Sequence, residues 1–151
     1  MKYLKIYTDG SCKGNPGKGG WCAIIDDHGS LKEISGKAGI TTNNRMELIA
    51  VIKGLEALSE PCRVTMITDS LYIAENMRNG RMKHWAERRF LKENGKIVKN
   101  PDLWIRVVKL CEIHNVRFVW RRGHGEEKLN RRCDAIARQQ AEKASQTDPE
   151  I

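Results

Sequence analysis

Two short strings, Thr8-Asp9-Gly10-Ser11 and Thr68-Asp69-Ser70, place a carboxylate directly after an apolar, β-branched run, at the point where a strand should stop. A sheet that lays those runs side by side as parallel strands, roughly 4.8 Å apart, delivers two acids to one spot. Like charges so close are costly unless a cation sits between them, so the pairing points to a divalent metal site.

Periodicity and punctuation supply the order of the remaining elements. Residues 3 to 8 alternate, the Gly-rich run 14 to 20 reads as a turn, and residues 21 to 25 and 31 to 37 read as two further strands joined at Asp27-His28-Gly29-Ser30. That is an antiparallel meander. Leu48, Val51, Ile52, Leu55 and Leu58 recur at helical spacing, with Asn43 and Asn44 as available N-caps and Pro61 as the stop. Val64 to Thr68 is a fourth strand, and reaching it through a helix makes it parallel to an earlier strand, most simply the first. Residues 71 to 99 are polar and broken by Gly80 and Gly95. Asn100-Pro101 opens a helix with Leu103, Trp104, Val107 and Cys111 facing inward; Val116, Phe118 and Trp120 alternate as a fifth strand; a last helix covers roughly 129 to 143. The order βββαβααβα predicts an α/β fold, a five-stranded mixed sheet with three antiparallel strands and then parallel ones, flanked by helices. Residues 1–144 read as one domain and 145–151 as a short flexible tail.

Charge and cysteine usage narrow the function classes. Twenty-seven Lys and Arg against nineteen Asp and Glu leave a net charge of +8, which points to a polyanionic partner, nucleic acid first, although a basic surface also serves solubility. Cys12, Cys22, Cys62, Cys111 and Cys133 are odd in number and form no Cys-x-x-Cys pair, which argues against a disulfide framework and a zinc cage. The run Met1 to Tyr7 alternates without a continuous apolar core or cleavage site, so it reads as a strand of a cytoplasmic protein and not as a signal peptide. With no evident apolar patch, a monomer is the simplest state.

Two further acids join the first pair. Glu47 lies in the first turn of the helix before the fourth strand, and Asp134 lies in the final helix. Each acid alone has a local explanation: Asp9 in a turn at Gly10-Ser11, Asp69 capping the next helix, Glu47 completing a capping box with Asn44, Asp134 facing water. All four falling near one sheet edge, where open α/β sheets bind their ligands, is harder to explain that way.

Thr8-Asp9-Gly10-Ser11-Cys12-Lys13-Gly14-Asn15-Pro16-Gly17, Thr41-Thr42-Asn43-Asn44-Arg45-Met46-Glu47-Leu48, Thr68-Asp69-Ser70, and Gly123-His124 ten residues before Asp134 together resemble type I ribonuclease H, from Tyr3 to about Lys143. The resemblance implies a ribonuclease H-like fold and hydrolysis of the RNA strand of RNA/DNA hybrids, leaving 5′-phosphate and 3′-hydroxyl ends. It implies that Asp9, Glu47, Asp69 and Asp134 hold two Mg²⁺ ions, with Mn²⁺ as a substitute. Hard oxygen ligands suit Mg²⁺, and two such ions can activate water and stabilise the leaving oxygen. His124 is implied in proton handling or product release. Asn15, Thr42, Asn43 and Asn44 are implied contacts to the hybrid, whose minor groove exposes ribose 2′-hydroxyls. The basic stretch Arg78, Arg81, Lys83, Arg88, Arg89, Lys92, Lys96 and Lys99, with Trp85 and Phe90 interleaved, resembles the family's basic protrusion that grips the DNA strand. A solvated helix whose Trp85 packs inward is the structural alternative.

Three departures stand out from the family pattern. His124-Gly125-Glu126-Glu127-Lys128 replaces the usual loop, Leu71 occupies a position that is often a polar amide, and Arg121 adds charge where an apolar residue is usual. Integrases, transposases and proofreading exonucleases share the fold, and a degenerate copy could bind without cutting. Retention of all four acids and His124 argues against the latter, and the intact Gly14-Asn15-Pro16-Gly17 and Thr42-Asn43-Asn44-Arg45-Met46-Glu47 strings disfavour an integrase.

Overall fold

The computed structural model describes residues 1–122 and 127–150. Among the described residues the strands are β1 (Lys2–Lys13), β2 (Gly17–Asp27), β3 (Ser30–Thr41), β4 (Cys62–Thr68) and β5 (Asn115–Trp120). The helices are α1 (Asn43–Glu56), α2 (Leu71–Arg78), α3 (Arg81–Glu87), α4 (Pro101–Ile113) and α5 (Lys128–Lys143). The sheet order is β3-β2-β1-β4-β5, with β3, β2 and β1 antiparallel and β1, β4 and β5 parallel. This is the predicted mixed sheet, with β4 beside β1 and one more helix than expected, because the polar stretch after Ser70 folds into both α2 and α3.

Alternation along the strands separates two cores. Leu4 and Ile6 of β1, Ala23 and Ile25 of β2, and Val64 and Met66 of β4 pack with α1 and with Leu103, Trp104 and Val107 of α4. On the opposite face Tyr7, Cys22, Ile24 and Ile67 pack against Cys133 and Ala137 of α5. The helix before β4 therefore crosses one face while the last helix covers the other; α1 starts beside the carboxyl edge, with Glu47 at Gly10, and α5 carries Asp134 to the same edge.

Two local expectations are corrected. The Gly-rich run is a turn only at its start, since β2 begins at Gly17, with a register irregularity between Gly17 and Gly19. A Cβ on Gly20 would lie 2.2 Å from the Ala137 carbonyl oxygen, so a bare strand is what lets α5 sit directly on the sheet. The cap of α1 is Thr42, whose hydroxyl accepts from the Arg45 N–H at 3.3 Å, and not Asn43 or Asn44. Both asparagine side chains are thereby left for other partners. All five cysteines are free thiols. Among the described residues no helix is long and apolar enough to cross a membrane. Of the stretch 145–151, read from sequence as a flexible tail, the described residues 145–150 follow the buried Ala144 and meet β3, where the Gly39 N–H donates to the Asp148 carbonyl at 3.0 Å.

Candidate active site

The strand pair behaves asymmetrically at its carboxyl end. Thr8 of β1 is the last residue in register with β4, opposite Thr68, so Asp9 and Asp69 come one step later. β4 stops there, and the cap of α2 is Ser70, which accepts from the Ile73 N–H at 3.2 Å, and not Asp69. The first strand does not stop at Asp9 as expected. It keeps its antiparallel partner to Lys13, with Asp9 opposite Cys22 and Gly10 opposite Trp21. Asp9 thus leaves the parallel pairing while still anchored in the sheet.

Glu47 reaches the same point from α1. Its Oε1 accepts from the Gly10 N–H at 2.6 Å, and that N–H also donates to Asp9 Oδ1 at 2.8 Å. A Cβ on Gly10 would lie 2.6 Å from the Glu47 backbone nitrogen, so only glycine allows α1 this close to β1. The capping-box reading of Glu47 fails because its carboxylate is spent on the strand. Asp9, Glu47 and Asp69 each offer an oxygen within 4.8 Å of the others. Asp9 is 5% exposed and Glu47 2%.

Electrostatics makes this trio unstable by itself. Burial, with the charges of Asp69 and Asp134 behind it, pushes the Asp9 carboxyl up to about 7, although a hydrogen bond with Glu47 pulls it partly back. Burial and the Asp9 charge push Glu47 well above the usual carboxylate range. Glu47 Oε2 is buried without a hydrogen-bond partner among the described residues. A buried carboxylate oxygen with nothing donating to it, beside two more acids, is a donor set suited to a hard divalent cation.

These acids belong to an open cleft of about 490 Å³. Asn43 and Asn44 line it from α1, and Ser70, Leu71 and Tyr72 from the start of α2. Asp134 lines it from α5, near enough to Asp9 to raise its pKa, and also pairs with Arg138 at 3.2 Å, so it stands beside the trio and not within it. Asn15 does not line the cleft but holds a residue that does, its Oδ1 accepting from the Asn43 N–H at 3.1 Å. Leu71, one of the departures, is 50% exposed and apolar within an otherwise polar wall. His124 lies outside the described residues, as do Gly123, Gly125 and Glu126.

The basic stretch occupies a separate arm. Trp85 of α3 is half-buried against the main core, with the Arg81 guanidinium carbon 5.9 Å from its ring centroid. Arg88 and Arg89 follow α3 and are exposed, while Phe90 is buried. Trp85 thus packs inward while the arginines stay on the surface. Sequence reasoning missed Arg122, Asn130, Arg131 and Arg138, which also line the cleft. Asn130, Asp134 and Arg138 recur four apart on α5, a helical stripe that could have been read around Asp134. Arg121, the third departure, pairs with Glu127 at 3.5 Å.

Comparison with known proteins agrees with this architecture. The RNase H family profile matches residues 1–142. A protein named Ribonuclease H from Chlorobaculum parvum is 48% identical over 137 residues, covering 91% of this chain and 94% of its own length. Among solved structures, LC9-RNase H1, described as a type 1 RNase H with the type 2 active-site motif, superposes with a TM-score of 0.83 at 29% identity, over 99% of this chain and 76% of that one. LC11-RNase H1, solved in complex with RNA/DNA hybrid, superposes with a TM-score of 0.65 at 27% identity, over 93% of this chain and 97% of its own.

Proposed function

The chain belongs to the ribonuclease H family, and from that premise we propose that it is an endonuclease hydrolysing the RNA strand of RNA/DNA hybrids, with divalent cations held by Asp9, Glu47, Asp69 and Asp134. The observation that carries this reading is the trio of acids within 4.8 Å of one another on the floor of an open cleft. The hybrid-bound relative supports the substrate class.

When bound, a pair of Mg²⁺ ions supplies Lewis acidity and lowers the pKa of water, the requirements of a hydrolysis that leaves 5′-phosphate and 3′-hydroxyl ends. The protein's own share is preorganisation. The Gly10 N–H holds Asp9 and Glu47 in one orientation, so their oxygens need not reorganise when cations and phosphate arrive. Asn43 and Asn44, with Asn15 behind Asn43, offer amides that both donate and accept toward the minor groove, where 2′-hydroxyls mark the RNA strand. Arg88, Arg89 and the face of Trp85 grip the DNA strand by sequence-independent contacts. His124 is assigned to proton handling or product release by its sequence context alone.

The test is cleavage of labelled RNA/DNA hybrid beside duplex RNA and duplex DNA, with Mg²⁺ and with chelator. Internal cuts confined to the RNA of the hybrid, and only with Mg²⁺, are expected. Binding without cleavage, or cleavage of duplex DNA, overturns the reading.

A further inference from the structure

Arg45 follows Asn43 and Asn44, and its guanidinium is fully engaged. Nε donates to Glu150 Oε2 at 2.8 Å, and Nη2 donates to Glu150 Oε1 at 2.8 Å and Asp102 Oδ2 at 2.7 Å. Nη1 donates to Asp102 Oδ1 at 3.1 Å and Asn100 Oδ1 at 3.2 Å. An arginine has five side-chain N–H donors, so none is left over. Glu150 also accepts from the Thr41 hydroxyl at 2.6 Å. One carboxylate thus holds both residues that bracket Thr42, Asn43 and Asn44.

The chain that brings Glu150 there is itself fixed. Besides the Gly39–Asp148 backbone bond, the Ser145 N–H donates to Asp148 Oδ2 at 2.8 Å, and a Cβ on Gly39 would lie 2.4 Å from the Gln146 carbonyl oxygen. The Glu150 side chain is 27% exposed and that of Arg45 22%, which makes this a partly desolvated, bidentate pair and not a loose surface contact. Among the described residues, the other side-chain restraints on the strand-to-helix step between β3 and α1 are the Arg45 bonds to Asp102 and Asn100, the Thr42 cap, the Asn15–Asn43 bond and the Cys12 thiol donating to the Thr41 carbonyl at 3.4 Å; of these, none joins Thr41 to Arg45 as Glu150 does.

We propose that Glu150 is a positioning residue, which by clasping Thr41 and Arg45 fixes the step that presents Asn43 and Asn44 to nucleic acid, so that residues 144–150 help set affinity for the substrate. This rests on the reading of the two asparagines as hybrid contacts. It also opposes simple electrostatics. Glu150 is a negative charge near a polyanion site, and its removal by field alone should tighten binding. Loss of a positioning clasp does the reverse.

The experiment is steady-state kinetics of the full chain on an RNA/DNA hybrid, below the melting midpoint of every variant, for Glu150→Ala, the double variant Asn43→Ala with Asn44→Ala, and all three changes combined. Glu150→Ala should raise KM about three- to tenfold with kcat within about twofold, and should leave the salt dependence of KM unchanged because no phosphate contact is lost. In the background lacking both asparagines it should add nothing further. Glu150→Gln, which keeps the shape and can still accept from Thr41, carries the same comparison if the alanine variant does not fold. If the asparagine double variant binds hybrid normally, the reading of the asparagines is wrong. If that variant binds weakly but Glu150→Ala and Glu150→Gln leave KM unchanged or lower it, the clasp is structural only. An equal rise in both backgrounds places its effect elsewhere, and either result overturns the proposal.

Discussion

Gly10 carries no functional group, yet it decides whether the acids meet. Its N–H is shared by Asp9 and Glu47, and its missing side chain is the space through which α1 approaches β1. The other acids were legible because each follows or opens a regular element: Asp69 ends an apolar run, and Glu47 sits one turn into a periodic helix. The cleft arginines were not, because an arginine on a basic chain carries no signal until α5 is placed over the sheet. Asp69 gives the residue-scale test. Asp69→Asn keeps the volume and the Trp120 Nε1 bond to its backbone carbonyl, 3.0 Å, but removes an anionic oxygen from the trio. With several kcal/mol of transition-state stabilisation at stake, kcat should fall roughly a thousandfold while hybrid binding persists, since the basic surface is untouched. Near-normal turnover in Mg²⁺ by the purified variant would sink the assignment of the acids.

Elements whose partners lie in their own pattern were read correctly from sequence, and elements defined by what packs on them were not. The parallel pairing of β1 and β4 follows from the crossover through α1. The run from Gly17 to Gly20 looks like a turn by composition, and is a strand because it pairs with β1 and β3, with Gly20 left bare for α5 to pack on. Residues 144–150 have no periodicity, so their contacts with β3 and Arg45 were invisible. The α3 arm lies between these cases: its charge was legible, and its burial of Phe90 and Met82 shows that the charged surface has a packed floor. Arg88→Ala with Arg89→Ala should leave that floor intact, raise KM about tenfold and reduce the slope of log affinity against log salt by roughly two, with kcat little changed. Measuring KM across a salt series checks this, and a collapse of kcat at constant KM would instead put the arm in the chemistry.

The whole molecule combines a net charge of +8 with a knot of buried acids, and its stability should record both. Without metal, Asp9 ionises at about 7 in the folded chain against an ordinary value near 4, so the folded state binds more protons than the unfolded one between those limits. Stability due to this group is therefore greatest below about pH 4 and falls as pH rises to about 7, with Glu47 acting in the same direction. His114 works the other way. Its Nδ1 accepts from the Cys62 N–H at 3.1 Å, and burial lowers its pKa, so its contribution grows as pH rises toward 6.5. Glu150 and Asp102, both held low by Arg45, shape the acid limb: their contribution is present above the ordinary carboxylate range and lost as pH falls through their folded values. The Asp9 term is isolated by subtraction. Asp9→Asn should stabilise the metal-free protein on the order of 4 kcal/mol at pH 8 and by little at pH 4. Millimolar Mg²⁺ should narrow the gap at pH 8 by binding the folded wild type more tightly than the variant. Urea unfolding at both pH values, with Mg²⁺ and with chelator, reads all of these quantities. A wild-type and Asp9→Asn difference that is flat with pH would mean that the acids are not strained against one another, and would remove the electrostatic reason for placing a cation among them.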